Sequence, residues 1–263
     1  VDTTVPTGEG FSSSYKHECT TASSATGAFF GIQHSIEAQN IRNSGWDYTS
    51  ASSFVTLSFY ARSSVAGTYL CSLRTVDGTA YNISSQYTLA ANTWKRVIVS
   101  FPGNSNLTIN NDTGICLKVF PMLELGSDYT AGSTFDAWTA HGGSTQTPDV
   151  AINIHDTVNS TFFVTGVQLE VGNSATDFEH RSFGEELSLC QRYYSKISSI
   201  DVSTYYKTGG SAPTENFQYL QTMRAAPTCT LTRQSGDSYN LASINQRNIT
   251  VDSFNLYVVA TSG

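Results

Sequence analysis

The stretch Thr161–Lys196, TFFVTGVQLEVGNSATDFEHRSFGEELSLCQRYYSK, decides how the chain is divided. It opens with the alternation of a strand. Phe163, Thr165, Val167, Leu169 and Val171 fall on one face, and Val164, Gln168 and Glu170 on the other. It closes on Phe183, Leu187, Cys190 and Tyr194, with Ile197 just beyond, at spacings of four, three, four and three. Those are the spacings of a helix with one apolar seam. Ser182 stands three residues before Glu185, which makes a capping box: the hydroxyl takes an exposed backbone N–H and the carboxylate reaches back. Glu185 and Glu186 also place negative charge in the first turn, where the helix dipole favours it. The pattern predicts a helix over 183–197. An isolated helix of that length is marginal in water and needs a partner for its stripe.

Upstream, strand signals recur. FFGIQHSIE alternates Phe30, Ile32, His34 and Ile36; FVTLSFYARS alternates Val55, Leu57, Phe59 and Ala61; TYLCSLR aligns Tyr69, Cys71 and Leu73. WKRVIVSF sets Val97, Val99 and Phe101 together, GICLKVFPMLELG alternates Ile115, Leu117 and Val119, and VAINI follows. Turn-forming segments such as SVAG, VDGT, PGNSN, NNDTG and HGGSTQTPD separate them. Downstream, TYYKTGG, ENFQYLQTM, TCTLTRQ, SYNLASINQ and ITVDSFNLYVVA again read as strands, with few strongly apolar faces. The expected fold is all-β: a jelly-roll β-sandwich over 1–181, a connecting and oligomerisation helix over 182–199, and a small C-terminal β-unit over 200–263. A unit of that last size is near the lower limit for standing alone.

Composition narrows the function. Charged residues make up 13% of the 263, well below the usual quarter, so Ser, Thr, Asn and Gly must cover much of the surface. Residues 1–181 hold eight Lys/Arg and fifteen Asp/Glu, whereas 182–263 hold six of each. The net charge of −7 therefore belongs to the N-terminal part, which has no basic footprint for nucleic acid and would be repelled by anionic lipid headgroups. No apolar run approaches a membrane span. No export signal is read at the start, which is Val1 rather than Met. The five cysteines, Cys19, Cys71, Cys116, Cys190 and Cys229, are scattered and odd in number, and read as reduced, buried thiols.

Catalysis finds little support. No G-x-S-x-G elbow occurs, and His17, His34, His141, His155 and His180 lack H-x-x-x-H spacing. Glu185 and Glu186 are neighbours on a helix, so they do not face one another as a glycosidase pair must. Sugar binding fits better, because a sugar ring offers an apolar face for an aromatic platform and a rim of hydroxyls for polar side chains. Trp46 in SGWDYTS and Trp138 in FDAWTAHGG lie in polar, turn-rich segments. Each is a candidate platform, with Asp47, Tyr48, Asp136 and His141 as hydrogen-bonding neighbours; the alternative is a Trp folded back to plug the end of the sandwich. Trp94, at a strand start, reads as core or edge packing.

The stretch FVTGVQLEVGNSATDFEHRSFGEELSLCQRYYSK resembles the C-terminal parts of bacteriophage tail fibre and related virion proteins, particularly those of marine and cyanobacterial phages. FVTLSFYARSSVAGTYLCSL, YTLAANTWKRVIVSFPG, GICLKVFPMLELGSDY and, further on, MRAAPTCTL fit the same family. Its sandwich is similar to jelly-roll carbohydrate-binding modules. The resemblance implies a virion-borne part at the particle surface, either an adhesin for host-surface glycan or a purely structural component contacting other virion proteins, and not a free enzyme. In the similar modules the last strand often carries paired aspartates that help hold a structural calcium; here that place reads Thr165–Gly166, so the motif is missing. Glu18, Glu37, Glu170 and Asp177 are the remaining carboxylates that could supply hard oxygen ligands to Ca²⁺, or they are solvated. No other cofactor is expected. The fibre resemblance also favours a homotrimer, in which Phe183, Leu187, Cys190, Tyr194 and Ile197 bury their seam as a short collar; the alternative is one helix packed across its own sandwich.

Overall fold

Strand alternation dominates the N-terminal unit, Val1–Glu179, of the computed structural model, which describes residues 1–150, 154–197, 215–232 and 241–260. Its strands are β1 (Tyr15–Glu18), β2 (Phe29–Glu37), β3 (Phe54–Ser63), β4 (Gly67–Thr75), β5 (Tyr81–Leu89), β6 (Lys95–Pro102), β7 (Ile115–Leu125), β8 (Thr139–Ala140) and β9 (Thr161–Val171), with a short helix α1 (Ala38–Arg42) after β2. One sheet runs β1-β9-β3-β6 and the other β2-β7-β4-β5-β8. Every strand pair is antiparallel. The chain changes sheet at most of its connections and stays in one sheet only at β4–β5 and β7–β8. That wrapping is a jelly-roll-like β-sandwich.

The core lies where alternation places it. Val55, Leu57, Phe59 and Ala61 of β3 meet Tyr69, Cys71 and Leu73 of β4, Val97 and Phe101 of β6, and Leu117 and Val119 of β7. Ile115 and His34, read as members of inward faces, are exposed. Cys19, Cys71 and Cys116 are buried thiols, and burial pushes Cys71 and Cys116 up to about 12. Cys190 is exposed and Cys229 half-buried, so small-hydrophobe use describes only the first three.

Simple alternation fails where β9 and β7 bulge. Ser58 pairs with Gln168 but Tyr60 with Thr165, so β9 carries one residue more than β3. Gly166 sits in that bulge at φ +60°, a conformation that side chains with a Cβ rarely adopt. A bulge exchanges the two faces of a strand. Phe162 and Val164 before it and Leu169 after it face the core, while Phe163 is buried on the opposite face and Val167 and Val171 are exposed. The single face read from Phe163 to Val171 is therefore two half-faces. In β7 the partners step from Val119 to Met122 while β2 advances only from His34 to Ile32. Pro121 falls in that interval, where a residue without an N–H leaves no donor orphaned.

The second unit, His180–Gly263, contains α2 (Phe183–Gln191) and an antiparallel sheet ordered β10-β12-β11, with β10 Glu215–Gln218, β11 Leu241–Arg247 and β12 Ser253–Ala260. The capping box is complete: the Ser182 hydroxyl accepts from Glu185 N–H, and the Ser182 N–H donates to Glu185 Oε2 at 2.9 Å. Phe254, Leu256 and Met223 are buried, and Phe217 stacks on Phe254 with centroids 5.5 Å apart. The helix stops at Gln191, short of the expected 197. Tyr193 and Tyr194 both donate to the Cys190 carbonyl, tightening the last turn, and Arg224 N–H takes the Arg192 carbonyl at 2.9 Å. Residues 228–232 of TCTLTRQ form no strand, and TYYKTGG lies outside the described residues.

Candidate functional site

Trp46 and Trp138 come together at the end of the sandwich where β3 begins and β6 ends, and the structure uses them as plugs. Trp46 is 4% exposed and belongs to the core, with its indole N–H directed at the Ser53 carbonyl at 3.4 Å. It has no open ring face, which corrects the expectation that it serves as a sugar platform. Trp138 is half-buried against the same core and donates its indole N–H to the Pro102 carbonyl at 2.7 Å. The Tyr48 hydroxyl accepts from Arg42 Nη1 at 2.6 Å, and Asp47 accepts from Thr49 within its own turn. Asp136 is exposed at φ +59°. His141 stands between Arg74 Nη1 and Asn82 Oδ1, each at 3.2 Å. Tyr48, Asp47 and His141 are thus engaged by neighbours outside the candidate set, and with both indole N–H groups on backbone carbonyls the geometry reads as a closed end.

An open site occurs elsewhere, on the outer face of the four-stranded sheet. Alternation that sends Phe59 and Ala61 inward sends Tyr60 outward, and the same rule on β6 turns Arg96 outward beside the inward Val97. Trp94 precedes β6 and packs edge-on against Phe163, 6.2 Å between centroids, with Arg62 over the same ring. Trp94 is thus half-buried on the outer face and is not part of the core, a correction to half of its expected role. Two segments wall this face. Phe11 packs on Tyr60 and Phe178, and a Cβ on Gly166 would stand 2.4 Å from the Phe11 ring, so the bulge glycine also makes room for the N-terminal segment. Opposite, Glu170 accepts from Thr176, and Gln168 accepts from Glu179 N–H at 2.8 Å, strapping residues 172–179 to β9.

Between the walls lies a cleft of about 520 Å³ lined by Pro6, Thr7, Glu9, Tyr60, Trp94, Arg96 and Asp177. The Tyr60 hydroxyl donates to Glu9 Oε2 at 2.5 Å, and burial together with that carboxylate pushes the phenol above its ordinary value. Arg96 donates to the Thr176 carbonyl, lies 3.7 Å from Asp177 Oδ1 and sits 6.0 Å from the Tyr60 ring centre. Burial would raise the Glu170 carboxyl, but hydrogen bonds from Gln168 and Thr176, and Arg96 nearby, hold it below the ordinary carboxylate value. The cleft thus gathers an indole, a phenol, a guanidinium and two carboxylates; Tyr60 is buried with its hydroxyl on Glu9 and Arg96 is engaged by Thr176, so half-buried Trp94 and exposed Asp177 are its more open groups. Its residues went unread in the sequence, apart from Asp177 as a calcium candidate and Trp94 as packing. The usable signal was an outward Tyr on an otherwise inward-apolar strand, next to a Trp-x-Arg start.

The calcium candidates do not converge. Glu18 pairs with Lys16, Glu37 accepts from Gln39, Glu170 binds Thr176 and Asp177 lies beside Arg96. Among the described residues no three His, Cys, Asp or Glu side chains are placed to hold a metal ion. Among them, too, no helix is long and apolar enough to cross a membrane. Of the seam residues, Phe183, Leu187 and Cys190 share one exposed side of α2, Phe183 at 82%. Tyr194 and Ile197 lie past its end, exposed but off the stripe. A continuous five-residue seam is therefore not formed within this helix. No protein-family model, no curated protein and no solved structure matches the chain.

Proposed function

We propose that the chain is a virion module, of tail-fibre or adhesin type, that binds host-surface glycan without cleaving it. The observation that carries this reading is the outer-face cleft, where Trp94 and Tyr60 stand among Arg96, Glu9 and Asp177. A sugar ring stacked on an aromatic face, with hydroxyls meeting charged and polar groups, needs that set of partners. The likeness of FVTGVQLEVG…FEHRSFGEEL…CQRYY to phage fibre proteins supports the particle setting. Binding without catalysis fits the arrangement of the carboxylates. A glycosidase sets one carboxyl in an apolar wall across the bond from the other, whereas Asp177 projects fully into solvent. Self-association, as a homotrimer, belongs to the same proposal and rests on the exposed Phe183, Leu187 and Cys190.

A glycan array together with host-cell adsorption tests it. Saturable binding to a host polysaccharide, weakened about tenfold or more in Trp94→Ala, is expected, since a lost aromatic stack is worth on the order of 1–3 kcal/mol. No binding to any host polysaccharide, with tight binding to another virion protein, would leave the purely structural role. Release of reducing sugar ends would make the protein an enzyme. Light scattering at micromolar concentration tests assembly separately, and a monomer there removes the trimer.

A further inference from the structure

At the other end of the sandwich, three titratable side chains from three different elements line up. His155, in the single turn Ile154–Asp156, has Nδ1 3.1 Å from Glu124 Oε1 on β7. The second oxygen of that carboxylate accepts the Ile154 N–H at 2.9 Å. His155 Nε2 then stands 3.2 Å from Nε2 of His17 on β1. The Phe30 ring packs against both imidazoles, with centroids 4.1 and 4.2 Å away. The turn is tied to the strand: Cys19 N–H donates to Ser160 O at 2.9 Å, and Asn159 N–H to Cys19 O at 2.8 Å.

The hydrogen positions follow from the partners. An ionised carboxylate only accepts, so the shared hydrogen is on His155 Nδ1, and in the neutral ring Nε2 is the lone-pair nitrogen. It points at the other imidazole. Burial, and then the neighbouring His155, lower His17 below the ordinary histidine value, which favours the ring form with a free lone pair. Two ligand nitrogens at about 2.0–2.1 Å from a tetrahedral ion stand about 3.3–3.4 Å apart, close to the separation here. A carboxylate holding the far nitrogen of a histidine is the usual outer partner of such a ligand.

We propose that His17 and His155 are a two-imidazole site for a borderline transition-metal ion of the Zn²⁺ type, with Glu124 orienting His155. Both rings are half-buried, and no third His, Cys, Asp or Glu ligand converges among the described residues, so water completes the coordination. The ion would clamp β1 to the turn at 154–160, across the edge where the two sheets meet. β1 also leads directly from the N-terminal wall of the cleft, yet the metal site stands or falls independently of glycan binding.

The test uses the whole chain without a histidine tag, stripped by chelator and titrated with Zn²⁺ by calorimetry, with melting followed in parallel. One ion per chain, a melting temperature that rises with Zn²⁺ and returns with chelator, and loss of the saturable event in His17→Gln and in His155→Gln are expected. Glu124→Gln should weaken binding about 10–100-fold. His34→Ala, at an exposed position, should leave it unchanged. Cu²⁺ in the wild-type protein should show coupling to two nitrogens by electron paramagnetic resonance, a readout that needs no variant to fold. No saturable binding to the wild type, binding undiminished in His17→Gln, or binding lost in His34→Ala overturns the proposal and leaves a hydrogen bond between the two rings.

Discussion

Trp46 and Trp94 both sit in polar, Ser/Thr/Asn-rich stretches, yet the fold treats them in opposite ways. At the sandwich end, the ring of Trp46 enters the core and its N–H meets a backbone carbonyl. On the outer face, Trp94 rests edge-on against Phe163 and keeps part of its surface over a cleft shared with Arg96 and Asp177. The difference is one of what lies beneath. The sandwich end is an open mouth of apolar side chains that a large ring can close, and closing it removes apolar surface from water. The outer face has its own polar floor, including Thr56 and Ser58, and is walled by the segments that carry Phe11 and Phe178, so a ring there has no apolar mouth to plug.

Mutation can break that contrast. The largest effect is expected for Trp46→Ala, at about 3–5 kcal/mol of lost stability in denaturant unfolding, the cost of emptying a buried aromatic site. The folded fraction should bind glycan as before. A loss under about 1 kcal/mol, the level of a surface substitution, would show that the end is not held by this ring.

Next is Gly166→Ala. It forces a left-handed conformation on a Cβ residue and drives that Cβ to 2.4 Å from Phe11. A cost on the order of 1–3 kcal/mol is expected. Adding Phe11→Ala should recover the part due to the clash and leave the part due to the backbone. Full recovery would mean that the φ of +60° is not a constraint.

Trp94→Ala sharpens the comparison from the other side. Its stability should change by about 1 kcal/mol or less, as for a half-exposed ring, while glycan binding falls. Equal melting losses for Trp94→Ala and Trp46→Ala would erase the distinction between platform and plug.

The smallest effect is one of pH, and it belongs to the plugged end. Arg74 can only donate, so His141 Nε2 accepts from it and Nδ1–H donates to Asn82 Oδ1. Burial, then Arg74 and Lys118, lower His141 below its ordinary 6.5. The unfolded chain therefore binds the proton more readily. The contribution is complete above pH 6.5 and is lost as pH falls through the depressed folded value. Unfolding curves for wild type and His141→Asn should differ in slope in that window, with the variant flatter. Identical slopes would show that His141 titrates in the fold as it does in the open chain.

Much of the frame was legible without coordinates. Alternation in FVTLSFYARS and TYLCSLR named inward residues that the core contains, and the Ser182–Glu185 box marked the helix start. The candidate cleft was not legible, because its lining comes from residues 6–9, Tyr60, 94–96 and Asp177, brought together by pairings far apart in the chain. Sequence reading chose tryptophans by the polarity of their neighbours, and neighbours in sequence do not say what lies under a ring.

Strand identity, the helix cap and the scarcity of charge are set by residues within a few positions of one another, where pleat and helix geometry act, so the sequence alone determined them. The tertiary structure decided where those local rules yield. Gly166 turns β9 over because β3 offers one residue fewer. The Arg192 carbonyl, at the end of α2, accepts from Arg224. Trp138 closes the sandwich because Pro102 presents a carbonyl to its N–H. Each outcome depends on a partner distant in the chain, whose position exists only once the sheets have paired.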